Sequence, residues 1–199
     1  TAESATSAAT GAVANVNDSP VVAVSGTATE DQVLTVSVSD EDGISGTISY
    51  QWARAGTAIS GATSSTYTLV QADVGSTITV TVSYTDAQGT AESATSAATS
   101  AVANVNDDPT GSVAISGTPT EDQTLSITNT LADEDGLGSF SYQWARAGTA
   151  ISGATSSTYT LVQDDVGSAM TVTVSYTDAQ GTAESATSAA TSAVANVND

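Results

Sequence analysis

The clearest hydrophobic pattern in the chain is the alternation over residues 77–84. Ile78, Val80, Val82 and Tyr84 alternate with threonine and serine, and β-branched residues occur on both faces. This period of two predicts a half-buried antiparallel strand. Similar runs cover residues 21–25, 33–39, 47–54, 66–70 and 97–105, with turn-forming residues between them. No segment has a helical period, so the sequence predicts an all-β fold.

The chain also repeats itself. Thr1–Thr10 recurs unchanged at Thr90–Thr99 and Thr182–Thr191, and Ser49–Gln71 recurs as Ser141–Gln163. A period of about 90 residues exceeds that of a solenoid, so each period is expected to be a domain. We expect residues 1–17 to be the last strand of a preceding repeat, 18–106 the first repeat and 107–199 the second, cut from a longer array.

Residues 1–17 have an unusual status in this scheme. They match the segments that close the two repeats, but the other strands of their own domain are absent from the chain. A single strand cannot bury its apolar face alone. We therefore expect this segment to be poorly ordered, or to pair with an exposed sheet edge of a neighbouring molecule.

Composition narrows the possible functions. The chain has 22 acidic residues, two arginines and no lysine, histidine or cysteine, which gives a net charge of −20. Such an acidic surface repels nucleic acid, and no apolar run is long enough to span a membrane. Disulfides are impossible, and most combinations of catalytic nucleophile and base are unavailable. We expect a monomer that is not an enzyme and whose partners are the neighbouring repeats.

The order of landmarks in each repeat resembles an immunoglobulin-like sandwich. Trp52 lies in the third predicted strand, and Asp73-Val74-Gly75 leads into the strand that ends near Tyr84. The second repeat has the same landmarks at Trp144, Tyr159, Asp165, Gly167 and Tyr176. The resemblance implies tandem Greek-key β-sandwiches that form an end-to-end rod, with both tryptophans in the core.

Acidic turns are expected to meet where the first repeat joins the second. Nine residues with oxygen ligands would converge there without a basic neighbour in sequence: Glu30, Asp31, Asp73, Asn104, Asn106, Asp107, Asp133, Asp135 and Asp178. Such a cluster is repulsive unless cations occupy it. Because every donor is an oxygen and the loops are irregular, the sequence predicts Ca²⁺ as the cofactor.

The same logic predicts two incomplete sites, each lacking a partner domain. The entrance to the first repeat would use Asn15, Asn17, Asp18, Asp40, Asp42 and Asp86, and the exit from the second would use Glu121, Asp122, Asp165, Asn196, Asn198 and Asp199. We expect both to bind Ca²⁺ more weakly than the complete site.

Each acid also has a purely structural interpretation. Asp86 and Asp178 could cap Asx turns, and Asp73 could anchor its turn through backbone amides. Arg54 and Arg146 are expected to lie at the surface or to pair with a turn residue. A threonine-rich face for ice or sugar is a further interpretation, as is glycoside hydrolysis by paired carboxylates, but neither an aromatic platform nor a cleft is evident.

Two family resemblances extend this picture. Glu30, the linker Asn104, Asn106, Asp107 and Pro109, and the loop Asp133 and Asp135 resemble the calcium motifs of cadherin-type junctions. Phrases such as Ala132–Gly136, Ser141–Trp144 and Tyr159–Leu161 resemble the extender repeats of large bacterial RTX adhesins. That resemblance implies a calcium-rigidified stalk exported by type I secretion to the cell surface, where it projects a ligand-binding tip in adhesion or biofilm formation. The alternative function is a carbohydrate-binding accessory module of a secreted protein.

Overall fold

The computed structural model describes residues 1–198, and the chain folds as two units, Thr1–Ala103 and Asn104–Asp199. Apart from two 3₁₀ turns, Gln71–Asp73 and Gln163–Asp165, every regular element in the described residues is a β-strand. Within the same residues, no helix has the length and hydropathy needed to cross a membrane. The domain boundaries expected from the sequence stay a prediction.

The first unit consists of two sheets. Its strands are β1 (Val21–Ser25), β2 (Val33–Ser39), β3 (Ile44–Arg54), β4 (Thr57–Ala58), β5 (Thr66–Thr68), β6 (Ile78–Asp86) and β7 (Ala91–Thr95). The orders are β1-β2-β5 in the three-stranded sheet and β4-β3-β6-β7 in the four-stranded sheet. All of these pairs are antiparallel.

The second unit has the same topology. Its strands are β8 (Val113–Ser116), β9 (Thr124–Asn129), β10 (Ser141–Arg146), β11 (Thr149–Ala150), β12 (Thr158–Thr160), β13 (Met170–Thr177) and β14 (Ala183–Thr187). They form sheets of order β8-β9-β12 and β11-β10-β13-β14. In both units the chain passes from one sheet to the other after the second, fourth and fifth strands, which makes each unit an immunoglobulin-like Greek-key sandwich. The predicted all-β fold class is confirmed, whereas the end-to-end rod stays a prediction.

The alternating pattern of the sequence accounts for the core. Along β6 every second side chain is buried, from Ile78 to Asp86. Trp52 is fully buried, stacks on Tyr67 at 5.6 Å between ring centroids, and donates its indole N–H to the carbonyl of Ser64 at 2.9 Å. Trp144 is equally buried in the second unit. The prediction that both tryptophans are core residues is confirmed.

The last strand of the first unit differs from the expectation. The strand expected over residues 97–105 is wrong, because β7 ends at Thr95 and only isolated bridges involve Val102 and Ala103. The pairing with β6 is interrupted where the hydroxyl of Ser96 accepts the hydrogen bond of the Val80 amide at 3.1 Å. A side-chain oxygen there replaces the carbonyl that a continuous ladder would use.

The first twenty residues of the chain form no strand in this structure. Val13 and Val16 remain 96% and 79% exposed. Thr1–Thr10 is therefore unpaired here, although the identical sequence at Thr90–Thr99 contains β7. Pairing of this segment with a neighbouring molecule stays a prediction.

Candidate metal centre

The turn between β2 and β3 forms one side of the candidate site in the first unit. The carboxylate of Asp40 accepts the amide hydrogen of Asp42 at 2.8 Å, and the carbonyl of Asp40 accepts that of Gly43 at 3.1 Å. Gly43 has φ of +78°, a conformation that glycine adopts without strain. This Asx-type turn holds the Asp42 side chain in a buried position, 8% exposed.

The segment that leads into the first unit is bonded to this turn. The two carboxylate oxygens of Asp42 accept hydrogen bonds from the Asp18 amide at 2.8 Å and from the Asn15 side-chain amide at 2.7 Å. Asn17 donates its side-chain amide to the Glu92 carboxylate on β7 at 2.8 Å. Hydrogen bonds thus join the incoming segment to the turn between β2 and β3 and to strand β7.

The turn between β6 and β7 supplies a further carboxylate. Oδ1 of Asp86 accepts the amide hydrogens of Gln88 at 2.8 Å and Thr90 at 2.7 Å, while its buried Oδ2 has no hydrogen-bond partner. Ala87 donates its amide hydrogen to the Gly43 carbonyl at 3.1 Å, which places Asp86 beside the turn that contains Asp42. The expected role in capping an Asx turn is therefore present, but it uses only one of the two oxygens.

The protonation state of Asp86 follows from these contacts. Burial raises the pKa of this carboxyl, but hydrogen bonds from Thr90, Gln88 and Gly89 lower it, and the net result is a pKa below the usual range. Asp86 is therefore an anion at neutral pH. Its second oxygen, Oδ2, is buried and negatively charged, and no donor in the described residues forms a hydrogen bond to it.

The second unit repeats this arrangement at its own entrance. The Asp135 amide donates to the Asp133 carboxylate at 2.9 Å, and the Asp135 carboxylate accepts the Asp107 amide at 2.9 Å. Asn106 donates its side-chain amide to Glu184 on β14 at 2.9 Å. Asn104 lies two residues earlier and is half-buried.

The turn between β13 and β14 completes the match. Oδ1 of Asp178 accepts the amide hydrogens of Gln180 at 2.9 Å and Thr182 at 2.8 Å, and its buried Oδ2 has no partner. Asp178 is 6% exposed. The same feature thus arises in two units whose loops differ in length.

We call each of these groups an entrance cluster. The first comprises Asn15, Asn17, Asp18, Asp40, Asp42, Asp86 and Glu92, and the second comprises Asn104, Asn106, Asp107, Asp133, Asp135, Asp178 and Glu184. Each contains five carboxylates and no basic residue. Amide and carboxylate oxygens are its only metal-binding groups, and these suit a hard cation such as Ca²⁺.

A tyrosine buttresses each entrance cluster from the core side. The Tyr84 hydroxyl donates to the Asp40 carboxylate, and the Tyr176 hydroxyl donates to the Asp133 carboxylate at 2.6 Å. Burial and these hydrogen bonds raise the pKa of both tyrosines far above the usual range. Both phenols therefore remain neutral donors that fix the orientation of a cluster carboxylate.

The arginines lie elsewhere and neutralise different acids. Arg54 donates to the fully buried Asp73 at 2.7 Å, and the other oxygen of Asp73 accepts from the Tyr67 hydroxyl at 3.0 Å and the Val70 amide at 2.9 Å. Arg146 and Asp165 repeat this pair at 2.7 Å. Both oxygens of these aspartates are occupied by donors, so we leave Asp73 and Asp165 out of the proposed ligand set.

The remaining predicted ligands lie at the exit end of each unit. Glu121 is 5% exposed and accepts the Val197 amide hydrogen at 3.2 Å, and Asn196 accepts from Gln163 at 3.4 Å. Asp122 has φ of +62° and is exposed, as is Asn198. In the first unit Glu30 is buried and Asp31 has φ of +62°. Asp199 lies outside the described residues.

Sequence analysis named most members of the entrance clusters but missed two. Glu92 and Glu184 lie within alanine- and serine-rich strands, apart from the other acids. The signal that finds them is hairpin register: β6 pairs with β7 so that Tyr84 faces Glu92, and Tyr176 faces Glu184 in the second unit. Because both tyrosines contact cluster aspartates, their partners lie beside the cluster. The complete site predicted between the repeats stays a prediction.

No protein-family model matches the chain, and no curated protein does. Several solved structures are similar to it. The three N-terminal domains of the highly immunogenic outer capsid protein Hoc of bacteriophage RB49 are 16% identical with a TM-score of 0.34; the match covers 88% of this chain and 59% of that one.

The fibronectin(III)-like modules of CbhA from Clostridium thermocellum are 14% identical, with a TM-score of 0.30 and coverage of 88% and 95%. The tandem Ig repeats of Dlar are 12% identical, with a TM-score of 0.26 and coverage of 89% and 98%. The fold of each unit is established by its own strand order and core.

Proposed function

We propose that the chain is a pair of calcium-stabilised spacer repeats from a large secreted or cell-surface bacterial adhesin. The observation that carries the proposal is the unsatisfied carboxylate oxygen of a buried aspartate, Asp86 in one unit and Asp178 in the other. A buried anionic oxygen without a donor is costly. A bound cation would remove that cost and the mutual repulsion of the neighbouring carboxylates.

The chemistry of the entrance clusters favours Ca²⁺ over Mg²⁺. Calcium accepts six to eight oxygen ligands in flexible geometry, whereas magnesium demands near-ideal octahedra and keeps several waters. Carboxylates and amides here come from an incoming segment and two separate turns, so their spacing is irregular. Such a donor set suits the larger and more adaptable ion.

Calcium binding would stabilise a unit appreciably. Extracellular calcium modules commonly have dissociation constants of about 10⁻⁴ to 10⁻³ M. A site specific to the native state contributes roughly 2.7 kcal/mol when the ion is present at about one hundred times its dissociation constant. Small domains have only about 5–15 kcal/mol of stability in total. Folding of each unit would therefore respond to the calcium of its surroundings.

The spacer role follows from what the cluster holds. Asn106 and Asp107 belong to the segment that enters the second unit, and both contact residues of the second entrance cluster. A cation bound there would restrict this segment and stiffen the array. Extracellular location, export by type I secretion and a role in adhesion or biofilm formation belong to the same proposal and rest on the sequence resemblance.

Calorimetric titration of the chain with CaCl₂ tests the proposal. Asp178→Asn keeps the Oδ1 acceptor for the turn amides but replaces the unsatisfied Oδ2 oxygen with an amide nitrogen. We expect it to lower calcium affinity at the second entrance cluster by at least about tenfold, because ligand charge sets affinity. Asp164→Ala is the matched control, since this exposed acid corresponds to Ala72 in the first unit.

Asp164→Ala should bind calcium as the unaltered chain does. The proposal fails if the unaltered chain shows neither binding heat nor a rise in melting temperature with CaCl₂. Equal effects of Asp178→Asn and Asp164→Ala would also contradict it, because the effect would then reflect net charge alone.

A further inference from the structure

The glutamates of the last strands make the same contact in both units. Glu92 accepts the side-chain amide of Asn17 at 2.8 Å, and Glu184 accepts that of Asn106 at 2.9 Å. Both glutamates are half-buried, in β7 and β14. The pairs are 75 and 78 residues apart in sequence, so each contact depends on completed tertiary structure.

The chemistry of the two groups fixes the direction of the asparagine side chain. An ionised carboxylate only accepts hydrogen bonds, and an amide donates only through its nitrogen. Because Nδ2 and Oδ1 diverge from the same carbon, the hydrogen bond from Nδ2 of Asn106 to Glu184 directs Oδ1 away from that glutamate. The next residue, Asp107, has its backbone amide on the Asp135 carboxylate. The incoming segment is thus held at one residue by its side chain and at the next by its backbone.

We propose that Glu184, and Glu92 in the first unit, are positioning residues. Each orients the side chain of the incoming asparagine so that its carbonyl oxygen faces the aspartates of the entrance cluster. This inference rests on the proposed calcium function and assigns these glutamates a part in it. They act through the asparagine and are not themselves counted as ligands. Outer partners of metal ligands commonly change metal affinity by 10- to 100-fold when they are removed.

The position of Glu184 in the chain gives the contact a temporal order. Glu184 lies in the last strand of its unit, whereas Asp133 and Asp135 lie before β10. The asparagine is therefore seated only after β14 has paired with β13. The hydrogen bond that holds the incoming segment therefore forms only when the last strand of the unit is in place. In a partly folded unit the incoming segment lacks this contact.

The repeated segment carries both halves of this contact. Thr90–Asp107 begins with Thr-Ala-Glu, which supplies Glu92 to the first unit, and its second-to-last residue is Asn106, which contacts Glu184 of the second unit. Thr182–Asp199 has the same sequence. Thr90–Asp107 thus accepts one asparagine side chain and donates from another. This dual use gives a physical reason for the near-identity of the copies.

Variants of Glu184 distinguish positioning from charge. Glu184→Ala removes the acceptor, and we expect calcium affinity measured by calorimetry to fall roughly tenfold. Glu184→Gln removes the charge but keeps a carbonyl acceptor for Asn106, so it should retain most of the affinity. Glu3→Ala is the matched control, because Glu3 occupies the same sequence in the unpaired copy.

A double-variant cycle isolates the pair. Asn106→Ala should weaken binding as much as Glu184→Ala, and the double variant should be no weaker than either, because all three lose the same seated oxygen. The proposal is overturned if Glu184→Gln is as weak as Glu184→Ala, if the two effects add, or if Glu184→Ala binds calcium normally.

The outcome separates this inference from the proposed function. If the unaltered chain binds no calcium, the proposed function fails, and the cycle is then measured as metal-free unfolding free energies. Non-additivity of Asn106→Ala and Glu184→Ala in that measurement supports a seating contact without calcium. Additive effects in that measurement overturn it.

Discussion

Arg54 and Arg146 are the only basic side chains of the chain, and each binds one fully buried aspartate. Asp73 and Asp165 are thereby satisfied by donors from the protein. Asp86 and Asp178 are also buried and also lie in turns, yet each keeps an oxygen without a donor. The chain therefore contains two kinds of buried aspartate. One kind is fully hydrogen-bonded within the protein, and the other has one oxygen that a cation could bind.

The structural aspartate gives a direct prediction. Asp73→Asn removes the charge that pairs with Arg54 and mispairs one of the donors around it. We expect the free energy of unfolding to fall by about 2 kcal/mol. This loss is smaller than that for breaking a fully buried ion pair, because the Arg54 side chain is 31% exposed to solvent. Calcium affinity should not change. Denaturant unfolding and calcium titration check both statements.

Glu41→Gln is the control for Asp73→Asn, since it makes the same charge change at an exposed site of the same unit. It should leave unfolding within a few tenths of a kcal/mol of the unaltered chain. A loss of calcium binding in Asp73→Asn without loss of stability would contradict the division between the two kinds of aspartate.

Many residues of the entrance clusters could be named from the sequence. Those that could not are residues whose role depends on tertiary contacts. Asp40, Asp42 and Asp86 lie in recognisable turns, so their placement together followed from strand order. Asp73 could not be distinguished from Asp86, because its partner Arg54 is 19 residues away and the pairing depends on tertiary packing. Glu92 was missed because an alanine- and serine-rich strand gives no local sign of the cluster beside it.

At the scale of elements, one sequence occurs in two conformations. Thr90–Thr99 contains β7, paired with β6, whereas the identical Thr1–Thr10 is exposed and unpaired. Alanine, serine and threonine have too little apolar surface to form a strand by themselves. The conformation of this segment is therefore set by the strand next to it.

Truncation tests this dependence. Ending the chain at Gly181 removes β14 and Val194, a member of the second core. We expect the second unit to lose its cooperative unfolding transition in calorimetry while the first unit retains its own. Deleting residues 1–14 is the contrasting truncation and should leave the metal-free melting of both units unchanged, because it removes no strand. Equal damage by the two truncations would contradict the assignment of strand partners.

The alternating pattern predicted the long strands well and the short or interrupted ones poorly. β1 and β2 match the predicted ranges, because valines alternate with small polar residues there. β4 has only two residues and carries no pattern. The range 97–105 failed because alternation of small residues cannot show that the hydroxyls of Ser96 and Thr99 bond to β6 amides in place of ladder carbonyls.

At the scale of the whole molecule, a net charge of −20 acts on 199 residues. Such self-repulsion favours solubility and opposes compaction. Monovalent salt screens it non-specifically, within about 10 Å at 0.1 M ionic strength. A divalent ion bound at an entrance cluster would act at one place and should constrain the segment that enters that unit, which screening cannot do.

Small-angle scattering in CaCl₂, MgCl₂ and NaCl of equal ionic strength separates these effects. We expect calcium to narrow the distribution of overall dimensions and to raise the maximum dimension, as the predicted rod requires, while the other salts produce less change. A chelator should reverse the effect. Identical profiles in the three salts would contradict a calcium-stiffened spacer.

The repeated segment Thr90–Asp107, which ends one unit and enters the next, affects how the number of repeats can change during evolution. Because Thr90–Asp107 and Thr182–Asp199 are identical and each contains both the glutamate and the asparagine, recombination between these two copies preserves the asparagine–glutamate contacts. Whole periods can then be gained or lost without a mismatched neighbour. The number of repeats can thus change in steps of one domain without any new contact between a repeated segment and the unit that follows it.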